Sequence, residues 1–586
     1  MEQQEFIKCY RHSLAHILAK AVIELFGEDD VKLAIGPQIE DGFYYDFKLS
    51  ASITNDDFGK IENKMQEIIK RKETFVREEI SKEQALLLFK DQPYKVELIN
   101  DLPADEVITI YKTGYDFVDL CKGPHIESAG ELMSCAFKIK ACSSVYWRGN
   151  ENYDSLQRIY VYAFPTKEEL KEHLRFIEEA KERDHRKLGP QLDLFFMDET
   201  APGMPYWLPK GWKLFNLLLD FWREEHEARG YQEISSPLIN SNSLWMTSGH
   251  WDHYKNNMFT IPIDENTVYG VKPMNCPNSI LVYRRKSRSY KDLPLRLSDC
   301  DVLHRKEKSG ELSGLFRVQM FRQDDSHNFI TEDQIFDEVN QILDIADLFY
   351  GIFGLSYRPE LSTRPDDYMG EKELWDKAEA ALKTILDSRY GKDGYDINEG
   401  DGAFYGPKID IMMKDALKRQ WQMGTIQLDF QLPRNFDIHY TDKNGSLKAP
   451  VIIHRVIYGS LERFLGILIE HFKGVFPFWI SPVQVGIVPI RQEHNVYAEE
   501  LVKKLKEHKI RVEVDYSDSH MKEKIKKYKK EHLPYIIILG DNEVNNQVLA
   551  INTRTGKNIQ NLTLEKFLEW SQIMCQAKSI EIIDHA

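Results

Sequence analysis

The stretch KEELKEHLRFIEEAKERDHRK, residues 167–187, is so densely charged that no protein interior can hold it. Its apolar side chains Leu170, Leu174 and Ile177 fall in one line, at the spacing of a single helix face. It reads as a linker helix over 166–188, and a chain interrupted in this way must build separate cores on either side. The length of 586 residues suits about three or four domains. We divide the chain into 1–165, the linker, 189–476 and 477–586.

Before the linker, FIKCYRHSLAHILAKAVIELFG sets Leu14, Leu18, Val22 and Leu25 at helical spacing and stops at Gly27, which predicts one amphipathic helix. Short alternating runs follow as far as the strand YVYAF at 160–164. Beyond Gly189, FNLLLDFWREEHEARG (215–230) predicts a long helix running into a strand, YQEIS, that ends at Pro237. From there to about Phe476 the strand-like runs are separated by loops rather than by regular helices, the pattern of an antiparallel sheet with helices packed to one side. From Pro482, VQVGIVPI, a helix from about Glu493, RVEVDY, a basic helix and YIIILG alternate, which predicts an α/β domain of mostly parallel pairing. The fold class is therefore α+β and multi-domain.

A formal charge of -16 excludes wholesale coating of nucleic acid, and leaves local basic patches such as YRRKSRSYK (283–291) and KEKIKKYKKEH (522–532). The seven cysteines are scattered and odd in number, unlike a disulfide framework. The first thirty residues lack the layout of a secretory signal, and no apolar run reaches membrane-spanning length. These observations place the protein in the cytoplasm with no membrane partner.

Two groups of residues carry chemistry. In the N-terminal segment, His12 and His16 share one helix face at i, i+4, and Cys121 and His125 repeat the interval in DLCKGPH. Such a set suits a tetrahedral zinc site, or equally a metal-free site that holds water and shuttles protons. RHSLAHIL, IGPQIEDGFYYDF, PYKVELI and DLCKGPH together resemble the editing domain shared by threonyl- and alanyl-tRNA synthetases. In the threonyl branch the resemblance implies metal-free hydrolysis of mischarged seryl-tRNA, with His12, His16, Lys95, Asp119, Cys121 and His125 as its residues.

In the central segment, residues 293–329 predict two strands joined by a loop with Gly310 and Gly314, bearing Arg305, Glu307 and Arg317. A guanidinium can grip an α-phosphate bidentately and neutralise the charge that develops there. Further on, VIIHRVIYGSLERFLGILIE passes from a strand through Gly459 into a helix bearing Arg463, placed to lie over a purine. The Pro237 strand, the Arg305 hairpin and the Arg463 helix resemble motifs 1, 2 and 3 of class II aminoacyl-tRNA synthetases.

The likeness extends over essentially the whole chain to threonyl-tRNA synthetases, through RHSLAH, MNCP, HRKEKSGELSGLFRV, FRQDDSH, GAFYGPKID, QWQMGTIQLDF and HRVIYGSLERF. It implies a zinc ion on Cys276, His327 and His454, and L-threonine held by Gln323, Asp325 and Tyr405. It also implies ATP with magnesium on Arg305, Glu307, Arg317, Gln422, Gln427, Ser460 and Arg463. His250 is similar to a histidine proposed to help deprotonate the terminal ribose of tRNA(Thr), Glu543 to one that reads the anticodon, and the motif 1 elements imply a homodimer. Threonine and valine are nearly isosteric, and an apolar pocket separates such pairs by only about a hundredfold. Serine differs by one methyl, worth roughly 10–200-fold, so a site that uses the hydroxyl still needs a second, hydrolytic one.

The chain departs from the family in three places. The ubiquitin-like module that precedes the editing domain is expected to be missing. Asn278 and Ser279 follow MNCP where the family has a small residue and histidine. DSHMKEKI (518–525) and Asn552 replace the usual NEKIGxKI segment and an arginine.

Overall fold

A computed structural model of the chain describes residues 3–103, 106–265 and 267–585. Its contacts divide it into two compact units, Met1–Glu179 and Ala180–Ala586. The division falls inside the helix Lys167–Arg183, which buries none of its residues, as its charge requires. The expected linker is broken at Asp184, whose side chain accepts the Arg186 N–H and starts a second helix, His185–Gln191. Among the described residues no helix is long and apolar enough to cross a membrane.

In the first unit the helix Gln3–Phe26 differs from the expected amphipathic one. From Cys9 to Val22 every residue except His12 is buried. The antiparallel sheet built around Gly42–Lys48, Ser155–Phe164 and Ala136–Tyr146 packs against it, and so does the helix Asn55–Lys70, through Ile61, Met65 and Ile68. Charged residues enclosed this way need partners. Lys20 Nζ lies 2.6 Å from Glu73 and 2.5 Å from Asp116, and Arg11 donates to the carbonyls of Ile39 and Glu40. A second ladder, Phe75–Ile80, Ile108–Thr113 and Phe117–Leu120, delivers Asp119 and, just past its end, Cys121.

The second unit is centred on an eight-stranded sheet. Its interior pairs are antiparallel, and only its two edge pairs, Gln232–Glu233 with Leu295–Asp299 and Tyr357–Ser362 with Asp396–Asn398, are parallel. The helices Pro209–Ala228 and Leu461–His471 pack in its core, as expected. Two further helices, Ile335–Gly351 and Lys372–Tyr390, correct the reading of this region as strands joined by loops. Both carry an apolar stripe at helical spacing, Val339, Ile342 and Ala346 in one and Ala378, Leu382 and Ile385 in the other, and the stripe drives them into the same core.

The hairpin of 293–329 is not one ladder. Leu295–Asp299 pairs with Asp325–Ile330 in the main sheet, whereas Val302–His304 pairs with Met320–Arg322 in a separate ribbon. The C-terminal sheet is only half parallel, which corrects the expectation of mostly parallel pairing. Val512–Val514, Val485–Pro489 and Tyr535–Leu539 run parallel, but Leu549–Thr553 and Asn558–Leu562 close the sheet as an antiparallel hairpin.

Candidate active site

Register builds the site in the second unit. In the ladder of Asp325–Ile330 with Val451–Val456, His327 stands directly opposite His454, so both imidazoles rise from one face with ring centroids 4.9 Å apart. On the other side of that strand Gln427 is the partner of His454. Cys276, the first residue of the helix Cys276–Arg284, reaches the same point. One ligand atom from each of Cys276, His327 and His454 lies within 4.8 Å of the others, and all three residues are buried.

This set fits a divalent cation. Burial pushes the Cys276 thiol well above its ordinary range and the His327 imidazole well below it. A cation suits the neutral imidazoles and reverses the cost of ionising the thiol. His327 Nδ1 is buried without a hydrogen-bond partner. His454 Nε2 sits 2.8 Å from Asp429 Oδ2, while Asp429 Oδ1 accepts the backbone N–H groups of Gln431 and Leu432 at 2.7 and 3.0 Å. The carboxylate thereby accepts the N–H on Nε2 and leaves Nδ1 of His454 with its lone pair. Three protein ligands leave a coordination position open.

Around this set lies a cavity of about 400 Å³, and Gln323, Asp325 and Tyr405 line it. Burial raises the Asp325 carboxyl to about 6, although Asn275 Nδ2 donates to it at 3.1 Å. Arg305, Glu307, Arg317, Gln422, Gln427, Ser460 and Arg463 line the same cavity. Arg463 stands at the start of the helix Leu461–His471, where the Ser460 hydroxyl accepts its N–H. Its guanidinium donates to the carbonyls of Phe316 at 2.9 Å and Gln422 at 3.1 Å. Burial, with repulsion from Arg317 and Arg305, lowers its hold on its proton. Cations gathered this closely against Glu307 favour an anionic ligand. Gly459 has φ +75°, and a Cβ there would meet the Met423 carbonyl oxygen at 2.2 Å, so the turn into the helix requires glycine.

His250 is fully buried beside this cavity, its Nε2 3.1 Å from Met274 Sδ and 3.8 Å from Cys276 Sγ. The Ser248 hydroxyl donates to the Leu244 carbonyl at 3.0 Å, so toward His250 Nδ1, at 2.8 Å, it can only accept. His250 Nε2 therefore keeps a lone pair. Burial, then His454 and Arg305, lower its pKa to about 4.

The first unit gathers the other set. Ligand atoms of His12, His16, Cys121 and His125 lie within 4.8 Å of one another. Cys121 Sγ is 3.2 Å from both His12 Nε2 and His125 Nε2. Asp119 accepts from Lys95 Nζ at 2.5 Å and from the Tyr45 hydroxyl at 2.6 Å, and lies 3.7 Å from His16 Nε2. Burial lowers all three imidazoles and pushes the Cys121 thiol up to about 12. Glu543 stands apart in the C-terminal sheet region. It is buried, and its carboxylate accepts the Gly540 N–H at 2.9 Å at the start of the helix Asp541–Asn546.

Three family models match the chain: the tRNA synthetase class II core domain (G, H, P, S and T) at 258–472, an anticodon binding domain at 484–572, and the threonyl and alanyl tRNA synthetase second additional domain at 108–160. A threonine-tRNA ligase of Thermotoga petrophila is 49% identical over 585 residues, covering 100% of this chain and 90% of that protein. One from Desulforamulus reducens is 50% identical over 573 residues, covering 97% and 89%. The crystal structure of the RNA binding domain of threonyl-tRNA synthetase from Cryptosporidium parvum superposes with a TM-score of 0.64 at 42% identity, over 68% of this chain and 99% of that one. The chain belongs to the threonine-tRNA ligase family.

Ser279, at the position where the resemblance implies a histidine, is fully buried with an unpartnered hydroxyl, and Asn278 donates to the Pro237 carbonyl at 3.2 Å. The departing segment 518–525 forms a bend, the cap residue His520 and the start of the helix Met521–Lys530. Asn552 lies on the strand Leu549–Thr553, paired with Ile536 and Asn558. Sequence reasoning missed Asp429, which sits inside the quoted QLDF but gives no signal without the register. It also missed Asn275 in MNCP, and Ser13, whose hydroxyl lies 3.0 Å from His125 Nδ1.

Proposed function

We propose that the second unit joins ATP and L-threonine into threonyl-adenylate and passes the threonyl group to tRNA(Thr), while the first unit hydrolyses mischarged seryl-tRNA(Thr). The observation that carries this reading is the convergence of one thiol, two imidazoles and Asp325 on a cavity whose remaining wall is cationic. Cys276, His327 and His454 would hold zinc, which when bound supplies a Lewis-acid contact to the amino group and β-hydroxyl of threonine and so rejects valine. Asp325, Gln323 and Tyr405 hold the amino acid. Arg305, Glu307, Arg317, Gln422, Gln427, Ser460 and Arg463 hold ATP, with magnesium on its phosphates. A threonine carboxylate oxygen attacks the α-phosphorus and pyrophosphate leaves, its developing charge met by Arg305 and Arg463.

His250 Nε2, with its lone pair kept free by Ser248, accepts the proton of the terminal ribose hydroxyl during transfer. The editing site comprises His12, His16, Lys95, Asp119, Cys121 and His125. Residues 1–165, 166–188, 189–476 and 477–586 act as editing domain, linker, catalytic domain and anticodon-binding domain, with Glu543 shaping the anticodon site. The exposed apolar residues Leu238, Ile239 and Met246 beside Pro237 favour a homodimer through this face. Amino-acid-dependent ATP–pyrophosphate exchange tests the reading. Strong exchange with threonine, weaker exchange with serine and almost none with valine is expected, and valine activated as well as serine refutes the zinc argument.

A further inference from the structure

The sequence Arg183-Asp184-His185 lies before the span matched by the class II core model, yet the fold presses it against the nucleotide wall. Arg183 NH1 donates to the carbonyls of Glu470 and His471, each at 3.0 Å, at the C-terminal end of the helix Leu461–His471 that bears Arg463. His185 is 1% exposed. Its Nε2 lies 2.9 Å from the backbone N–H of Leu315 and can only accept there. The ring proton is therefore on Nδ1, which donates to Glu470 Oε1 at 2.7 Å. Glu470 also accepts the backbone N–H of His185 at 3.2 Å and is ion-paired with Arg419. One neutral imidazole in one tautomer thus bridges two elements.

What it holds is specific. Leu315 precedes Phe316, whose ring centroid lies 4.2 Å from that of His185 and whose carbonyl is the acceptor that fixes Arg463 Nε. Gly314, at φ +50°, would place a Cβ 2.3 Å from His185 Nε2, so the loop approaches as closely as glycine permits. We propose that His185 is a positioning residue for the nucleotide, holding the loop Ser313–Arg317 so that Phe316 and Arg463 keep the geometry of the ATP wall. This rests on the nucleotide reading of the cavity given above.

The test is threonine-dependent ATP–pyrophosphate exchange with the full chain. Asparagine can reproduce the Nδ1 donor to Glu470 but cannot reach Leu315, whereas glutamine places an acceptor near the Nε2 position. For His185→Asn the KM for ATP is expected to rise about tenfold, from the loss of one buried partner, with the KM for threonine within about twofold. His185→Gln restores most of it. Gly314→Ala, whose Cβ would press on His185 Nε2 and push the loop off the ring while leaving the histidine in place, gives the same selective rise and decides the matter if His185→Asn does not fold. Arg463→Ala tests the cavity separately: exchange that survives it overturns the nucleotide reading. Exchange abolished by Arg463→Ala, with His185→Asn and Gly314→Ala leaving the KM for ATP unchanged or raising both KM values together, overturns the role of His185 alone.

Discussion

Replacing Asp429 with asparagine tests the proposed zinc site without altering a ligand. In the native arrangement Asp429 Oδ1 is bound by two backbone N–H groups and Oδ2 faces His454 Nε2. In the variant the amide oxygen keeps the two backbone donors, so the NH₂ group turns to His454. It can only donate, and Nε2 must then become the acceptor, which moves the ring proton to Nδ1, the atom required for the metal. Loss of such an outer partner costs about 10–100-fold in metal affinity, or ~1.4–2.7 kcal/mol, and inverting the tautomer pushes the effect to the upper end. The assay is zinc content after dialysis against a graded chelator series, with threonine and valine exchange measured on the same samples. The expected outcome is easier loss of zinc in Asp429→Asn and a fall in threonine activation that excess zinc partly restores. Unchanged zinc retention with the fold intact would refute the assignment of Nδ1 as the ligand atom, and with it the tautomer argument.

Changing His12 and His16 together to alanine should leave threonine-dependent exchange unaffected and let seryl-tRNA accumulate, read by charging with serine. Gly459→Ala forces a side chain into a left-handed turn and onto the Met423 carbonyl, a strain of about 1–2 kcal/mol before any clash, so exchange should fall at least about tenfold while the first unit keeps its hydrogen-exchange protection. Burial holds the pKa values of His12, His16 and His125 below their unfolded value. The unfolded first unit therefore binds more protons, and the stability these residues confer is fully present above pH about 6.5 and lost as pH falls below it. Hydrogen-exchange protection of residues 3–26 should decline from pH 7.5 to 5. His16→Phe should flatten that decline by up to ~1.4 kcal/mol per pH unit, and an unchanged slope counts against a neutral buried His16.

The helices Ile335–Gly351 and Lys372–Tyr390 escaped the reading, but those at Gln3–Phe26, Pro209–Ala228 and Leu461–His471 were legible because their residue intervals translate directly into faces. His12 and His16 converge for that reason. Cys121 and His125 share the same interval, but for another cause: the segment is a loop, and it curls so that the Gly123 N–H donates to Cys121 Sγ at 3.2 Å. The half-antiparallel C-terminal sheet was missed because strand–helix alternation stops at Leu549. The turn of Thr553 to Asn558 around Gly556 then makes a hairpin that alternation cannot register. Asp429 and His185 were illegible for a deeper reason. Their partners are set by sheet register and by the docking of distant segments, which no local pattern encodes.

The two His/Cys sets, built from the same residue types, differ in how a carboxylate meets them. In the second unit Asp429 bonds His454 directly, which orients the ring and makes its other nitrogen a better ligand. In the first unit Asp119 is engaged by Lys95 and Tyr45 and reaches His16 only at 3.7 Å. The ring of His125 is oriented instead by Ser13, whose proton goes to the Cys9 carbonyl at 2.9 Å, so that its oxygen accepts from Nδ1 and leaves Nε2 facing the Cys121 thiol. A hydroxyl fixes the tautomer without adding charge, and the imidazoles stay neutral acceptors beside a protonated thiol. The two sets thus differ in where the nearest carboxylate directs its charge: onto a ring nitrogen of His454 in the second unit, and onto Lys95 and Tyr45 in the first.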